Sequence, residues 1–419
     1  MKIAIVGAGS SYTPELVFKL GETASRLPVT EIVLMDTDEK RLSVMGGFCR
    51  RYAKSLGYAF AFGETADLKE AVAGARFVVT QIRIGGNRAR TGDEKIPIAH
   101  GLIGQETTGA GGFMKALRTV PAMVEIAKSV EEHAPEAWII NYANPTGIVA
   151  EGVHRATKAK IAGLCAGGMF PALWTAAALG VPAESVRYDY AGLNHMNFAY
   201  NITVGGRAVT EAEMEKIMGQ VGSVDFGLLK KIGAVASPYL QYYFHTRKAV
   251  EHMANAPSTR GEQVLGLEAE IFAAYADETN SQLPQALHRR GGGGYSEIAI
   301  GVMDAIYNNT DRFMVANVPN RGVLPFLPED AVIETACLVN AAGLKNLTLD
   351  PPPKAVWGLI SAVKNYEQLA VDAALTGSRD TALLALVAHP LIRDYDIAVP
   401  LLDELLEANK QYLPKFFEG

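Results

Sequence analysis

The first forty residues constrain this chain more than any other stretch. Lys2-Ile3-Ala4-Ile5-Val6 is a short β-branched run that breaks at Gly7-Ala8-Gly9-Ser10-Ser11. A helical pattern follows from about Thr13, carried by Leu16, Val17 and Leu20. A second apolar run, Ile32-Val33-Leu34-Met35, is closed by Asp36. Strand, glycine turn, helix, strand and terminal acid is the order of a mononucleotide-binding βαβ unit. Gly7 and Gly9 let the backbone turn tightly and approach a pyrophosphate lying on the helix N-terminus. Ser10 and Ser11 stand where the third glycine of the fingerprint is usual, and they complete the expected cofactor loop. Asp36 would accept hydrogen bonds from a ribose 2′-OH and repel a 2′-phosphate, so NAD is expected rather than NADP. The competing reading is a βαβ unit that binds no nucleotide.

The alternation continues. A helix over about Glu39–Ser55 leads to a short strand near Ala59, then to a buried strand at Phe77–Gln81. Polar, glycine-rich loops are expected at Arg83–Glu94 and Gly101–Gly112. A helix with Leu117, Val120, Val124 and Ala127 on one face follows, then strands at Trp138–Tyr142 and Lys160–Gly163. This pattern predicts a Rossmann-type, doubly wound parallel sheet over residues 1–170. From about Pro171 it changes. A strand at Phe198–Val204 is expected in a separate antiparallel sheet. Helices are expected at Ser223–Ile232, Gly261–Tyr275, Glu297–Asn308, Pro352–Leu375 and Asp380–Val387, with breaks at Arg289–Gly294 and Asn317–Gly322. Residues 171–419 therefore read as an α+β substrate lobe packed on the first, in an arrangement similar to that of lactate/malate dehydrogenases.

A length of 419 residues is enough for two such lobes. The net charge of −6 argues against nucleic acid as a partner, and no apolar run approaches a membrane span. The N-terminus enters a strand without a signal peptide, and three scattered cysteines form no disulfide framework. A cytoplasmic protein with reduced thiols is expected.

In a doubly wound sheet, ligands gather at the carboxyl ends of the strands. Arg83, Arg90, Asn144 and Cys165 all follow such ends. Cys165 and His195 flank element ends beside glycines, and thiolate with imidazole suits a divalent transition metal. Two ligands do not close a metal site, and a buried thiol with a hydrogen-bonded histidine is the plainer alternative. Tyr239, in Pro238-Tyr239-Leu240-Gln241-Tyr242-Tyr243-Phe244, reads as core unless a cation lowers its pKa. Arg83, Arg88, Arg90 and Arg260 are candidate anion clamps, each of which could equally sit on a solvated face. Asn144 could simply shape the turn before Pro145.

Several segments resemble glycoside hydrolase family 4, its 6-phospho-β-glucosidases in particular. They are Gly7-Ala8-Gly9-Ser10-Ser11-Tyr12-Thr13-Pro14-Glu15-Leu16, Gly104-Gln105-Glu106-Thr107-Thr108-Gly109, Asn144-Pro145-Thr146-Gly147, Gly192-Leu193-Asn194-His195 and Asn317-Val318-Pro319-Asn320-Arg321-Gly322. The resemblance implies NAD, a divalent metal (usually manganese), a phosphorylated disaccharide or glycoside as substrate, and a homo-oligomer. It implies hydrolysis by redox elimination: hydride leaves C3 for NAD, the C2 proton becomes acidic, the C1 leaving group departs, water adds and hydride returns. By motif, Cys165 and His195 would hold the metal and Tyr239 would be the base. Arg90 would hold the 6-phosphate, and Asn144 and Arg260 would contact the sugar. The chain departs from the family at Cys165-Ala166-Gly167-Gly168, where β-specific members follow the cysteine with Asn and α-specific members often with Asp. A good β leaving group needs little acid assistance, so Ala166 tilts the expectation towards β-glycosides. The alternatives are the same chemistry on an unphosphorylated glycoside or uronide, a 2-hydroxy-acid dehydrogenase, and a non-catalytic NAD-binding protein.

Overall fold

The computed structural model describes residues 1–291 and 293–418. Gly292, within the expected Arg289–Gly294 break, and Gly419, the last residue of the expected second lobe, lie outside them. Six strands occupy the first part of the chain: β1 (Lys2–Val6), β2 (Glu31–Met35), β3 (Ala61–Thr65), β4 (Phe77–Thr80), β5 (Trp138–Asn141) and β6 (Lys160–Gly163). They pair in parallel in the order β3-β2-β1-β4-β5-β6. This is the strand order of the dinucleotide-binding fold, with its reversal point between β1 and β4. Strands such as β1 and β4 are apolar on both faces because helices cover both.

The second half holds β7 (Val186–Leu193), β8 (Met196–Val204), β9 (Arg207–Ala208), β10 (Val235–Ala236), β11 (Arg312–Pro319), β12 (Val332–Asn340) and β13 (Gly343–Asn346). The expectation of a separate sheet is corrected. β11 runs antiparallel to β6 and meets it at the single pair Asn317–Gly163, and β12, β7, β8 and β10 follow in one continuous 13-stranded sheet. An antiparallel neighbour completes the edge of β6 without a crossover helix, which no local pattern announces.

The core divides by sheet face, with both halves of the chain on each side. One face packs Ala4, Val6, Val78 and Ile139 under helices Gly109–His133, Trp357–Thr376, Arg379–Ala388 and Tyr395–Ala408. The other packs Ile3, Ile5, Phe77 and Val79 under helices Thr13–Glu22, Glu39–Ser55, Arg260–Ala276 and Tyr295–Asn308. Tyr395–Ala408 was not expected from the sequence.

A second correction concerns Arg83–Glu94, which is not all loop: Gly86–Ala99 is a helix. Its buried stripe is Asn87, Arg90, Asp93, Glu94 and Pro97. The spacing is helical, but the stripe is mostly polar, so hydropathy does not reveal it. Asp93 is answered by Arg118, whose guanidinium reaches both carboxylate oxygens at 2.8 and 2.5 Å. Helix Gly109–His133 likewise begins inside the expected Gly101–Gly112 loop. A Cβ at Gly111 would stand 2.4 Å from the Gln105 carbonyl oxygen, so glycine lets the preceding loop fold back on the helix.

No helix among the described residues is long and apolar enough to cross a membrane.

Candidate active site

The glycine turn lies at the carboxyl end of β1. Gly7 has φ +84°, and a Cβ there would meet the Ile82 amide nitrogen after β4 at 2.8 Å. A Cβ at Gly9 would stand 2.8 Å from Asp36 Oδ2, which instead accepts the Gly9 N–H at 2.7 Å. Asp36 Oδ1 accepts from the Asp38 N–H at 3.0 Å, leaving lone pairs on both oxygens. The Ser11 hydroxyl is buried and has no partner, while the Ser11 carbonyl accepts from Tyr275 Oη. Ser10 Oγ accepts from the Tyr12 N–H. A turn without room for side chains, an unpartnered buried hydroxyl and an acid at the next strand end fit a dinucleotide.

Cys165 follows β6 and caps a 3-10 turn, its sulfur accepting from the Gly167 N–H at 3.5 Å. His195 is the second residue of the two-residue turn between β7 and β8, with φ +64°. A non-glycine residue in that region is strained and needs neighbours to hold it there. Both residues are only 7% exposed. Tyr239, in a 3-10 turn after β10, lays its ring flat on the His195 imidazole, with centroids 3.6 Å apart and planes 5° apart. The Asn194 amide joins this group, because it favours the Cys165 thiolate. His195 and Tyr239 thus come together from separate segments, and Cys165, from a third, lies near enough for its charge to raise the Tyr239 hydroxyl.

Their protonation follows from burial. It pushes His195 down to about 3, so the imidazole is neutral, and its Nδ1 has no partner. Burial also pushes the Cys165 thiol up to about 12, with the charge of Glu334 adding to the effect. The Tyr239 hydroxyl is raised by burial first and by Cys165 second. Among the described residues no three His, Cys, Asp or Glu side chains gather as a metal-binding cluster. A neutral imidazole with a free nitrogen beside a thiol that needs a cation to ionise fits a transition metal whose shell substrate oxygens complete.

Beside this group lies a charged corner. Glu106 accepts from Arg83 at 2.6 Å and from Lys115 at 2.6 Å through Oε2, and faces Arg90 at 3.2 Å through Oε1. Arg90 also pairs with Glu94 at 2.8 Å. These cations hold Glu106 well below the usual carboxylate range against its burial. Burial first, then Arg83, pushes Lys115 down to about 7. Arg90 is therefore a buried residue on a helix, not a loop residue as expected.

The remaining candidates are engaged in local contacts. Arg260 directs its guanidinium to the Arg289 and Arg290 carbonyls at 3.3 and 2.6 Å. Its helix is tied to the charged corner by the Gly261 N–H, which donates to Glu94 at 2.7 Å. Asn144 Oδ1 accepts from the Thr146 N–H at 3.3 Å, the turn-shaping role. Arg88 is exposed.

Sequence reasoning gave no part to Glu106, Lys115 or Glu334. Glu334 is wholly buried and pushed up to about 7 by burial, against the pull of hydrogen bonds from Asn194, Asn317, Tyr190 and Asn197. The available signal was an acid inside the apolar run Val332-Ile333-Glu334-Thr335-Ala336-Cys337.

Residues 2–171 match the model of "Family 4 glycosyl hydrolase", and residues 190–392 match "Family 4 glycosyl hydrolase C-terminal domain". The chain belongs to glycosyl hydrolase family 4. This family 4 chain is 38% identical, over 100% of its own length and 98% of the other's, to a Bacillus subtilis (strain 168) protein named "Probable 6-phospho-beta-glucosidase". It superposes with TM-score 0.90 on the Thermotoga maritima 6-phospho-beta glucosidase solved with manganese, NAD+ and glucose-6-phosphate, at 33% identity and covering 98% and 99% of the two chains. A 6-phospho-alpha-glucosidase from gut microorganisms, in complex with NAD and glucose-6-phosphate, gives TM-score 0.90 at 29% identity, covering 99% of both chains. Malate dehydrogenase from Plasmodium falciparum shares the fold alone, with TM-score 0.53 at 15% identity.

The place of Asp36 against the glycine turn generates the first test. Asp36→Ala should weaken NAD binding by roughly 1–3 kcal/mol, the size of a lost charged hydrogen bond. Calorimetric titration returning wild-type NAD affinity would remove Asp36 from the cofactor site.

Proposed function

We propose that this chain hydrolyses 6-phospho-β-glucosides with NAD and a divalent cation, manganese in the first instance, by oxidation, elimination and addition. The flat stack of Tyr239 on His195, with the Cys165 charge felt at the Tyr239 hydroxyl, carries the reading, because it would set the base against a ligand of the cation. Cys165 and His195 would hold the cation, and Gly7, Gly9, Ser10, Ser11 and Asp36 would hold NAD. When bound, NAD supplies a reversible hydride acceptor for C3 and the cation a Lewis acid for the sugar's C2 and C3 oxygens.

The chain's own residues do the rest. Tyr239 Oη takes the C2 proton, which only a nearby cation makes feasible for a phenol raised by burial. The bond from C1 to the aglycone breaks and the aglycone leaves as its anion, water adds at C1 and gives up the proton that neutralises that anion, and Tyr239 returns a proton to C2. Ala166 offers no acid to the leaving group, which favours the β-anomer. The higher identity to the β-named relatives supports the same choice. Arg90, with Arg83 beside it at Glu106, supports recognition of the 6-phosphate, since both guanidiniums face this corner together with the Lys115 amine, itself pushed down to about 7. By the family motif, Arg260 and Asn144 would contact the sugar. Three unpaired, buried cysteines suit a reducing cytoplasm.

We also infer a homo-oligomer. Helix Phe170–Leu179, directly after the Cys165 turn, is apolar along most of its length yet buries only Pro171 and Thr175. Leu173 is 49% exposed, so a second copy of the chain is the expected cover.

Three measurements follow. A substrate deuterated at C2 should lose its label to light water during turnover, with no net NADH, and Tyr239→Phe should bind NAD and cation but lose the exchange. Product retaining its full C2 deuterium from active enzyme would sink the elimination mechanism. Arg90→Ala should impair 6-phosphorylated glycosides selectively, with only partial rescue by lysine because the planar fork is lost. Equal loss on plain glycosides would count against a phosphate contact. Light scattering should give a multiple of the chain mass that Leu173→Glu reduces, and a monomeric wild type would refute the oligomer.

A further inference from the structure

Glu334 is the buried acid that the mechanism leaves without work. It is 0% exposed, the third residue of β12. A carboxylate out of water is strongly unfavourable unless hydrogen bonds replace its hydration. Here they do. Oε1 accepts from Asn194 Nδ2 and Asn317 Nδ2, each at 3.1 Å. Oε2 accepts from Asn197 Nδ2 at 2.5 Å and Tyr190 Oη at 3.2 Å. Each oxygen thus accepts twice, a pattern that only a side chain with two acceptors and no donor can serve.

The register shows what these bonds join. Glu334 pairs with Asn317 on one side, and Asn317 pairs with Gly163, two residues before Cys165. On the other side Glu334 pairs with Gly192, which leads into the Asn194-His195 turn. Asn317 Nδ2 donates to the Gly163 carbonyl at 3.1 Å as well as to Glu334. A continuous path therefore runs from the Gly163 carbonyl through Asn317, Glu334 and Asn194 to the strained His195. With their nitrogens held by Glu334, Asn194 and Asn317 keep buried side-chain oxygens that have no partner.

We propose that Glu334 is a positioning residue for the cation site: through Asn317 and Asn194 it ties the strand end that delivers Cys165 to the turn that delivers His195. The inference rests on the reading of Cys165 and His195 as cation ligands. Residues that orient the ligands of a metal act on its affinity, because the ligands must otherwise be ordered at the moment of binding. Glutamine at position 334 would turn an NH2 towards two donors, freeing one pair and loosening the turn.

Manganese(II) chloride titrated into the NAD-loaded protein, with free Mn2+ read by electron paramagnetic resonance, tests this well below the melting temperature. Glu334→Gln should weaken Mn2+ roughly tenfold to hundredfold, the effect of losing a residue that supports a ligand, and leave NAD affinity within about twofold. Asn194→Ala, which cuts the path and leaves Glu334 its other donors, should weaken Mn2+ in the same direction and decides the matter if Glu334→Gln does not fold. Wild-type Mn2+ affinity in folded Glu334→Gln or in Asn194→Ala overturns the proposal, provided that Cys165→Ser loses Mn2+. Mn2+ binding that Cys165→Ser leaves intact overturns the reading of the ligands instead.

Discussion

A row of residues crosses the sheet where the parallel strands end, and the rest of the structure depends on its polar groups finding one another. Asn197, Gly192, Glu334, Asn317, Gly163, Asn141 and Thr80 are successive partners in register on β8, β7, β12, β11, β6, β5 and β4. Both faces of the sheet are packed with apolar helices, so water does not serve these groups. Thr80 donates to Asn141 at 2.9 Å, and Asn317 to both Gly163 and Glu334. A slip of one residue in any pairing would strand a carboxylate or an amide in the core, so the row fixes register as hydrophobic alternation does elsewhere.

The glycines in that row make the arrangement possible. A Cβ at Gly192 would stand 2.2 Å from the Met196 carbonyl oxygen, closing the turn that presents His195. At Gly163 it would meet Asn317 Cβ and Thr146 Oγ1, each at 3.0 Å. Parallel and antiparallel strands therefore join at the point where the fewest side-chain atoms compete.

Away from the row, buried charge is matched locally. Lys364 lies between Glu151 and Glu367 at 2.6 and 2.5 Å. Asp93 lies against Arg118, which also reaches Asn409 at 2.7 Å. Such clusters are weak sources of net stability, but each demands one geometry of the helices that bring it together. The polar stripe of Gly86–Ala99 shows the same logic: the helix is held by ion pairs that position Arg90.

The parallel half of the fold was legible because its signals are local. β1, β2 and the helix between them are set by apolar runs, a glycine turn and an acid within forty residues. Cys165, His195 and Asp36 stood out as chemical types at element ends, whereas Tyr239 read as core and only the family motif singled it out. The start of Gly86–Ala99 was not, because its buried face carries Asn87, Arg90, Asp93 and Glu94 rather than aliphatic residues.

The sequence by itself determined the nucleotide-binding half and the family. Only the tertiary structure decided that one sheet joins both halves, that Tyr239 lies on His195, and that Glu334 rather than a hydrophobe fills the centre. The physical reason is range. Propensity and periodicity act over a few residues, whereas a buried carboxylate is tolerable only when donors from Tyr190 to Asn317 arrive together, and no short window of sequence contains them.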